Sequence, residues 1–197
     1  MTKINRGEKL PDKLLDSEVV KNDGKKIALK ELITSATPNA LIFIRHFGCL
    51  GCSLQMEDLA PRMTEMKRLG LNTVIIGIGE AEYIDGFMQR FELDDTLATI
   101  VTDSTLKIHE EAGLKRSLWA TLGPKGVFQQ LKALLTGHSQ DGIKGDNWQQ
   151  GGAVVLNDRG EVVYFRVSSS VGDFTPSVEL VDTIQNLLIK KSDPLVM

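Results

Sequence analysis

Three short apolar runs, each followed by a segment of helical periodicity, constrain this chain more than any other feature. Asn39 to Phe47 reads NALIFIRHF, Asn72 to Gly79 reads NTVIIGIG, and Ala98 to Thr102 reads ATIVT. The LIFI core shows no polar alternation, which fits a central strand covered on both faces. Cys52 to Leu69 places Met56, Leu59, Met63 and Met66 on one helical stripe, and Pro61 predicts a kink or a break into two pieces. Glu80 to Leu93 repeats Tyr83, Phe87 and Phe91 on one side of a second helix. Ser104 to Ala112 reads as a short third helix with Ser104 or Asp103 as its N-cap. Strands alternating with helices imply a mainly parallel central sheet with helices on both faces.

The ends of the chain add two hairpins. Asn22-Asp23-Gly24, between Ser17–Val20 and Lys25–Leu29, is a turn signal for an N-terminal β-hairpin. Ala153–Leu156 and Glu161–Val167 make a second hairpin around Asn157-Asp158-Arg159-Gly160. A helix from Pro176 to Lys191 then closes the chain, with Val178, Val181, Ile184 and Leu188 inward. An α/β order that ends in an antiparallel hairpin and a helix narrows the choice toward thioredoxin-like folds, with a mixed central sheet, helices on both faces and an N-terminal β-hairpin extension. No repeat or linker divides the chain, so we expect a single domain over residues 1–197 with an insertion at about 115–150. That insertion holds a helical pattern from Pro124 to Thr136 and a glycine-rich loop, and we take it as the source of substrate choice or homodimer contacts.

Composition enters as exclusion. A net charge of −3 and a pI near 5.7 provide no concentrated basic surface, which argues against nucleic-acid binding. No run approaches the ~20 apolar residues of a membrane span, and the opening MTKINRGEKLPDKLL has no apolar signal-peptide core. The expectation is a cytoplasmic protein with no membrane partner.

The chemistry concentrates in RHFGCLGC, Arg45 to Cys52, which holds both cysteines of the chain. Residues three apart at a helix start share a face, and their Cα separation of roughly 5–6 Å suits a disulfide. Unpaired N–H groups and the positive end of the helix dipole stabilise a thiolate there. A Cys-x-x-Cys pair so placed holds one reactive thiolate and one thiol positioned to attack a mixed disulfide. Gly48 and Gly51 suit tight turns that leave the sulfurs open to a partner, and Arg45 is a second candidate source of positive charge. A zinc site needs further ligands, and His46, His109 and His138 are the only histidines, without a second Cys-x-x-Cys. Redox chemistry is favoured over metal binding and over inert structural thiols, and it needs no bound cofactor because the sulfurs carry the electrons.

LIFIRHFGCLGC looks like the strand–Cys-x-x-Cys–helix element of the thioredoxin superfamily. Further patterns resemble its peroxiredoxin-like AhpC/TSA (alkyl hydroperoxide reductase/thiol-specific antioxidant) branch. They are Gly7-Glu8-Lys9-Leu10-Pro11-Asp12, Asp23-Gly24, Leu29-Lys30-Glu31-Leu32, ATIVTDSTLKIHEEAGL from Ala98 to Leu114, and the stretch from Gly151 to Val162. The resemblance implies a thioredoxin-like fold and thiol-dependent reduction of peroxides or protein disulfides, with a thioredoxin- or glutathione-type donor. It also implies departures. With Cys52 at the peroxide-attacking cysteine of the family, Cys49 stands where Thr or Ser belongs and Arg45 where Pro belongs. The usual hairpin arginine meets Gly151. In the thioredoxin pattern, the proline facing the cysteines aligns with Gly152 and the buried strand acid with Phe43.

The catalytic candidates are therefore Cys49, Cys52 and Arg45, with His46, Gly48, Gly151, Gly152 and Trp148 as substrate-side candidates. Thioredoxin logic makes Cys49 the nucleophile and peroxiredoxin logic makes it Cys52; exposure at the helix end favours Cys49. Arg45 competes with a surface salt bridge, His46 with a solvated strand end, and Trp148 with a loop anchor. Glu57 and Asp58 read as helix-surface charges and the helix methionines as core. Gly77-Ile78-Gly79 hints at a dinucleotide turn, but the third small residue falls on Glu82. The rival function is a non-catalytic redox sensor or partner-binding protein on the same fold.

Overall fold

The computed structural model describes residues 3–114, 148–170 and 172–192. Among them, β1 (Glu18–Val20) and β2 (Lys26–Ala28) form the first hairpin, turning at Gly24 with φ +80°. This left-handed conformation suits glycine because any Cβ crowds the backbone there. The apolar runs become β3 (Asn39–Phe43), β4 (Asn72–Gly77) and β5 (Thr99–Thr102), and the late hairpin becomes β6 (Gly152–Leu156) and β7 (Val162–Val167). They lie in one sheet in the order β2-β1-β5-β4-β3-β6-β7.

Only the β3–β4 and β4–β5 contacts are parallel; β1, β6 and β7 join antiparallel. The sheet is therefore mixed, as expected, with a parallel trio at its middle to which both hairpins add antiparallel strands. β3 is an interior strand, between β4 and β6, and every residue in it is buried. Its side chains alternate between two cores, as a pleated strand requires. Ala40 and Ile42 face one core with Met56, Met63, Met66 and Ile184; Leu41 and Phe43 face the other with Leu14, Ile108 and Ala112. Truncating one of these buried methionines to alanine costs about 2–5 kcal/mol in lost transfer energy and cavity formation.

The first helix breaks at the proline, as its ring and missing N–H require. α2 (Leu50–Leu59) passes through a 3₁₀ turn at Ala60–Arg62 into α3 (Met63–Arg68), while the stripe Met56, Leu59, Met63, Met66 stays buried. α1 is Asp12–Leu15, α4 is Tyr83–Arg90 and α5 is Lys107–Glu111. The α5 start differs from the sequence reading. Leu106, in the left-handed region at φ 63°, is the N-cap, and Asp103 acts from further upstream, its carboxylate accepting from the N–H groups of Thr105 (3.1 Å) and Ile108 (2.7 Å).

The last helix, α6 (Ser177–Ser192), buries Ser177, Leu180, Val181 and Ile184. Val178 and Leu188 instead point outward, at 45% and 38% exposure. Val181 and Ile184 are thus inward as expected, with Ser177 and Leu180 in place of Val178 and Leu188, and Asp58 of α2 accepts the Ser177 N–H at 2.6 Å at the start of the helix. Asp58 is thus a cap for α6 as well as a surface charge. No helix among the described residues is long and apolar enough to cross a membrane. The expected helix at Pro124–Thr136 lies outside the described residues.

Candidate active site

β3 ends at Phe43, and the chain then turns through Arg45–Gly48 before α2 begins. Two contacts hold this turn. The Ile44 N–H donates to the Ile76 carbonyl at 2.9 Å, extending the pairing with β4. Phe47 inserts its ring over Gly77, where a Cβ would lie 2.6 Å from the ring, and meets Phe87 edge-on at 5.2 Å. Glycine at 77 is therefore the seat for the anchor of the cysteine turn. Sequence reasoning does not single out Phe47, whose role depends on a strand 30 residues away (47 to 77).

Cys49 is the N-cap of α2, and its carbonyl accepts the Ser53 N–H at 3.0 Å. Cys52 lies one turn into the helix. Both thiols are free and buried, with Cys49 5% and Cys52 2% exposed. The Arg45 N–H donates to the Cys52 sulfur at 3.2 Å. The Arg45 guanidinium is buried too, and its Nε donates to the Gln149 carbonyl at 3.0 Å. That contact ties the cysteine turn to the segment entering β6 and excludes the reading of Arg45 as a surface charge.

The two thiols are driven apart in acidity. The Cys49 pKa is held well below the usual thiol value, first because the Cys52 S–H donates to its sulfur. Burial opposes this, and the fields of Arg45 and His46 add to it. The Cys52 pKa is pushed well up, mainly by burial and then by its hydrogen bond and proximity to Cys49, with Arg45 opposing. A thiolate beside a thiol that donates to it is the arrangement a dithiol needs to attack and then resolve.

A cleft of about 20 Å³ opens on Cys52, enough for a molecule of water size. Arg45, Gly51, Gln55 and Gly151 line it, with Ser168, Ser170, Gly172, Asp173 and Phe174 from the loop after β7. The hydroxyls of Ser168 and Ser170 make no hydrogen bond to another described residue. Arg166 and Ser169 hold the loop by its Asp173 carboxylate, at 2.7 Å from Arg166 Nη2 and 2.6 Å from the Ser169 hydroxyl. The run Ser168-Ser169-Ser170 is the available sequence signal, but only the fold shows that it returns to the cysteines.

Of the candidates read from the sequence, Arg45, Cys52 and Gly151 meet at the cleft, and Cys49 adjoins it through Cys52. His46 is 1% exposed, so it is buried beside Cys49 and not the solvated strand end expected as its ordinary alternative. Gly48 is buried in the turn and does not leave the sulfurs open, because Phe47 pulls the turn inward. Gly152 is a packing residue: a Cβ there would lie 2.6 Å from the Arg166 carbonyl and 2.8 Å from Leu114. Trp148 is half-buried and outside the cleft lining; its neighbour Gln149 makes the contact to Arg45. No group of three or more metal-ligating side chains occurs among the described residues.

A central sheet, a Cys-x-x-Cys at the start of the helix after β3, and a late hairpin facing it define a thioredoxin-like protein of the peroxiredoxin type. The family model of the AhpC/TSA antioxidant enzyme matches residues 58–168, and the chain belongs to that family. The matched segment begins beyond Cys52, so both cysteines lie outside it. The chain is similar to the thioredoxin-like protein AAED1, chloroplastic, of Arabidopsis thaliana, at 24% identity over 89% of this chain and 73% of that protein. It is similar also to peroxiredoxin-like 2C of Takifugu rubripes, at 27% identity over 82% of this chain and 75% of the relative. Among solved structures, peroxidoxin BcpB of Mycobacterium tuberculosis shares the fold with a TM-score of 0.64, at 14% identity over 93% of this chain and 98% of that one.

Proposed function

We propose that this protein reduces a peroxide or a protein disulfide by cycling Cys49 and Cys52 between dithiol and disulfide. The observation that carries the reading is the placement of the pair: Cys49 caps α2, Cys52 lies one turn on, both thiols are free, and the Arg45 N–H donates to the Cys52 sulfur at 3.2 Å, with the lowered Cys49 pKa and raised Cys52 pKa in support. With a peroxide, the thiolate attacks one oxygen, an S–O bond forms, the O–O bond breaks, and the other oxygen leaves as alcohol or water after taking a proton. Cys52 then attacks the Cys49 sulfur, an S–S bond forms, and the hydroxyl leaves as water with the Cys52 proton. With a disulfide substrate, the Cys49 thiolate attacks one sulfur, the substrate S–S bond breaks and the first thiol leaves; Cys52 then attacks the Cys49 sulfur of the mixed disulfide and releases the second thiol. A thioredoxin- or glutathione-type thiol returns the two electrons.

Arg45 favours the thiolate, His46 adds to that field, and Gly151 leaves the cleft open. The proposed setting is the cytoplasm, where a reducing environment keeps such thiols free. The protein works there as a single domain, and its insertion at about 115–150 provides substrate or homodimer contacts.

One observation favours a second assignment within the same chemistry: the cleft opens on Cys52. A small peroxide entering there meets Cys52 first, beside the hydroxyls of Ser168 and Ser170, and Cys49 becomes the resolving thiol. The test of the reading is turnover. Peroxide or disulfide consumption coupled to a thiol donor, lost in both Cys49→Ser and Cys52→Ser, supports it. Silence with both substrate classes, alongside partner binding that changes on oxidation, establishes the redox sensor instead.

A further inference from the structure

His109 and Asp103 form a buried pair that the proposed chemistry does not use. His109 is fully buried on α5, packed edge-on against Phe43 at 5.4 Å, with Nδ1 3.8 Å from Asp103 Oδ2. Its Nε2 lies 3.1 Å from the Ile44 carbonyl oxygen. A carbonyl can only accept, so Nε2 carries the hydrogen and donates. Asp103 is itself fixed, its N–H donating to the Gly77 carbonyl at 2.9 Å and its carboxylate accepting from Thr105 and Ile108. Those contacts set where α5 starts and so where His109 points.

The Ile44 carbonyl and the Arg45 N–H belong to one peptide unit. Among the described residues there is no cis peptide bond, so the two groups point in opposite directions across that plane. One end accepts from His109; the other donates to the Cys52 sulfur at 3.2 Å. Donation into a carbonyl draws electron density from its amide and strengthens the N–H as a donor, so linked hydrogen bonds reinforce one another.

We infer that His109 is a positioning residue for Cys52, acting through the Ile44–Arg45 peptide unit. It orients that peptide and polarises it, so that the Arg45 N–H supports electron density on the Cys52 sulfur in the reduced pair. In the reduced pair the Cys52 sulfur gives its hydrogen to the Cys49 sulfur and so carries more electron density than a disulfide sulfur, which gains less from the donor. His109 therefore favours the dithiol over the disulfide, whichever cysteine attacks first. The inference rests on the redox reading of the pair.

The experiment equilibrates the protein in glutathione redox buffers and measures the dithiol–disulfide ratio in wild type, His109→Phe and His109→Gln. Phenylalanine removes the donor, and glutamine can present an amide N–H in place of Nε2. The expected result is a roughly two- to fivefold shift of His109→Phe toward disulfide, the size expected when one bond of a linked chain loses its partner, with His109→Gln near wild type. Equal ratios in folded wild type and His109→Phe overturn the inference, as does the same shift in both variants. If His109→Phe does not fold, His109→Asn, too short to reach Ile44, takes its place. Nitrogen NMR of the wild type is an independent check: a ring protonated only at Nδ1 overturns the inference. If no Cys49–Cys52 disulfide forms in wild type, it is the redox reading that fails, and the NMR result still decides the hydrogen bond.

Discussion

Gly151→Ala is the substitution whose cost the structure specifies best. A Cβ at this position would stand 2.4 Å from the Phe43 carbonyl oxygen, about 1 Å inside an ordinary contact near 3.4 Å. The Cβ is fixed by its own backbone and the oxygen it meets is a backbone atom, so no side chain can rotate away; the entry to β6 must move off β3. That movement loosens the Ser168 N–H to Gly151 carbonyl bond at 3.0 Å and the Arg45 Nε to Gln149 carbonyl bond at 3.0 Å. Overpacking costs about 1–3 kcal/mol and one or two weakened buried hydrogen bonds about 1 kcal/mol each, giving roughly 2–5 kcal/mol in total. For a chain of this size that lowers Tm by roughly 4–20 °C.

Thermal and denaturant unfolding of the reduced protein, followed by circular dichroism, reads this loss. Gly86→Ala is the control, because nothing lies within 4 Å of its Cβ position in α4. It is expected to be neutral or stabilising by up to about 1 kcal/mol. A Gly151→Ala protein within about 0.5 kcal/mol of wild type, the ordinary range for a surface substitution, would refute the close-approach argument. Glycine here would then have no steric cause.

Two further outcomes follow from the thiols. In Arg45→Met a cation that favours thiolate is gone, so the Cys49 pKa rises toward the ordinary thiol value. Since the thiolate is the reactive form, alkylation of Cys49 should slow at neutral pH and converge with wild type above the ordinary thiol range; an unchanged pH profile would remove Arg45 from the site. Mixed-disulfide trapping with a thiol substrate should accumulate in Cys52→Ser and not in Cys49→Ser if Cys49 attacks first, while the reverse pattern assigns attack to Cys52.

How much of this is legible in the sequence depends on how local each cause is. The LIFI strand, both hairpins and the break at Pro61 follow from neighbouring residues and appear where expected. On α6 only Val181 and Ile184 of the expected stripe are buried, because apolar residues occupy both phases of that helix, and the contact at its start, Asp58 to Ser177, spans 119 residues. Asp103 is recognisable as a capping residue, but the left-handed Leu106 moves the helix start beyond it.

At the site, Cys49, Cys52 and Arg45 are readable because one turn carries them all. Phe47 on Gly77, Gln149 on Arg45, and Ser168 and Ser170 at the cleft are not, since each depends on where a distant segment returns. Gly151 and Gly152 emerge through the family pattern, and their causes differ. Gly151 accommodates a backbone and lines the cleft, whereas Gly152 accommodates β7 and Leu114.

The central claim is that Cys49 and Cys52 form one redox couple. Its most direct test is mass spectrometry of the reduced protein after one equivalent of hydrogen peroxide and, in a parallel sample, of a small disulfide, with peptide mapping. The account predicts loss of two hydrogens, a single Cys49–Cys52 linkage, and full recovery of both thiols with a dithiol reductant. Thiols unreacted with both oxidants, or over-oxidation of one cysteine with the other still free, would contradict it.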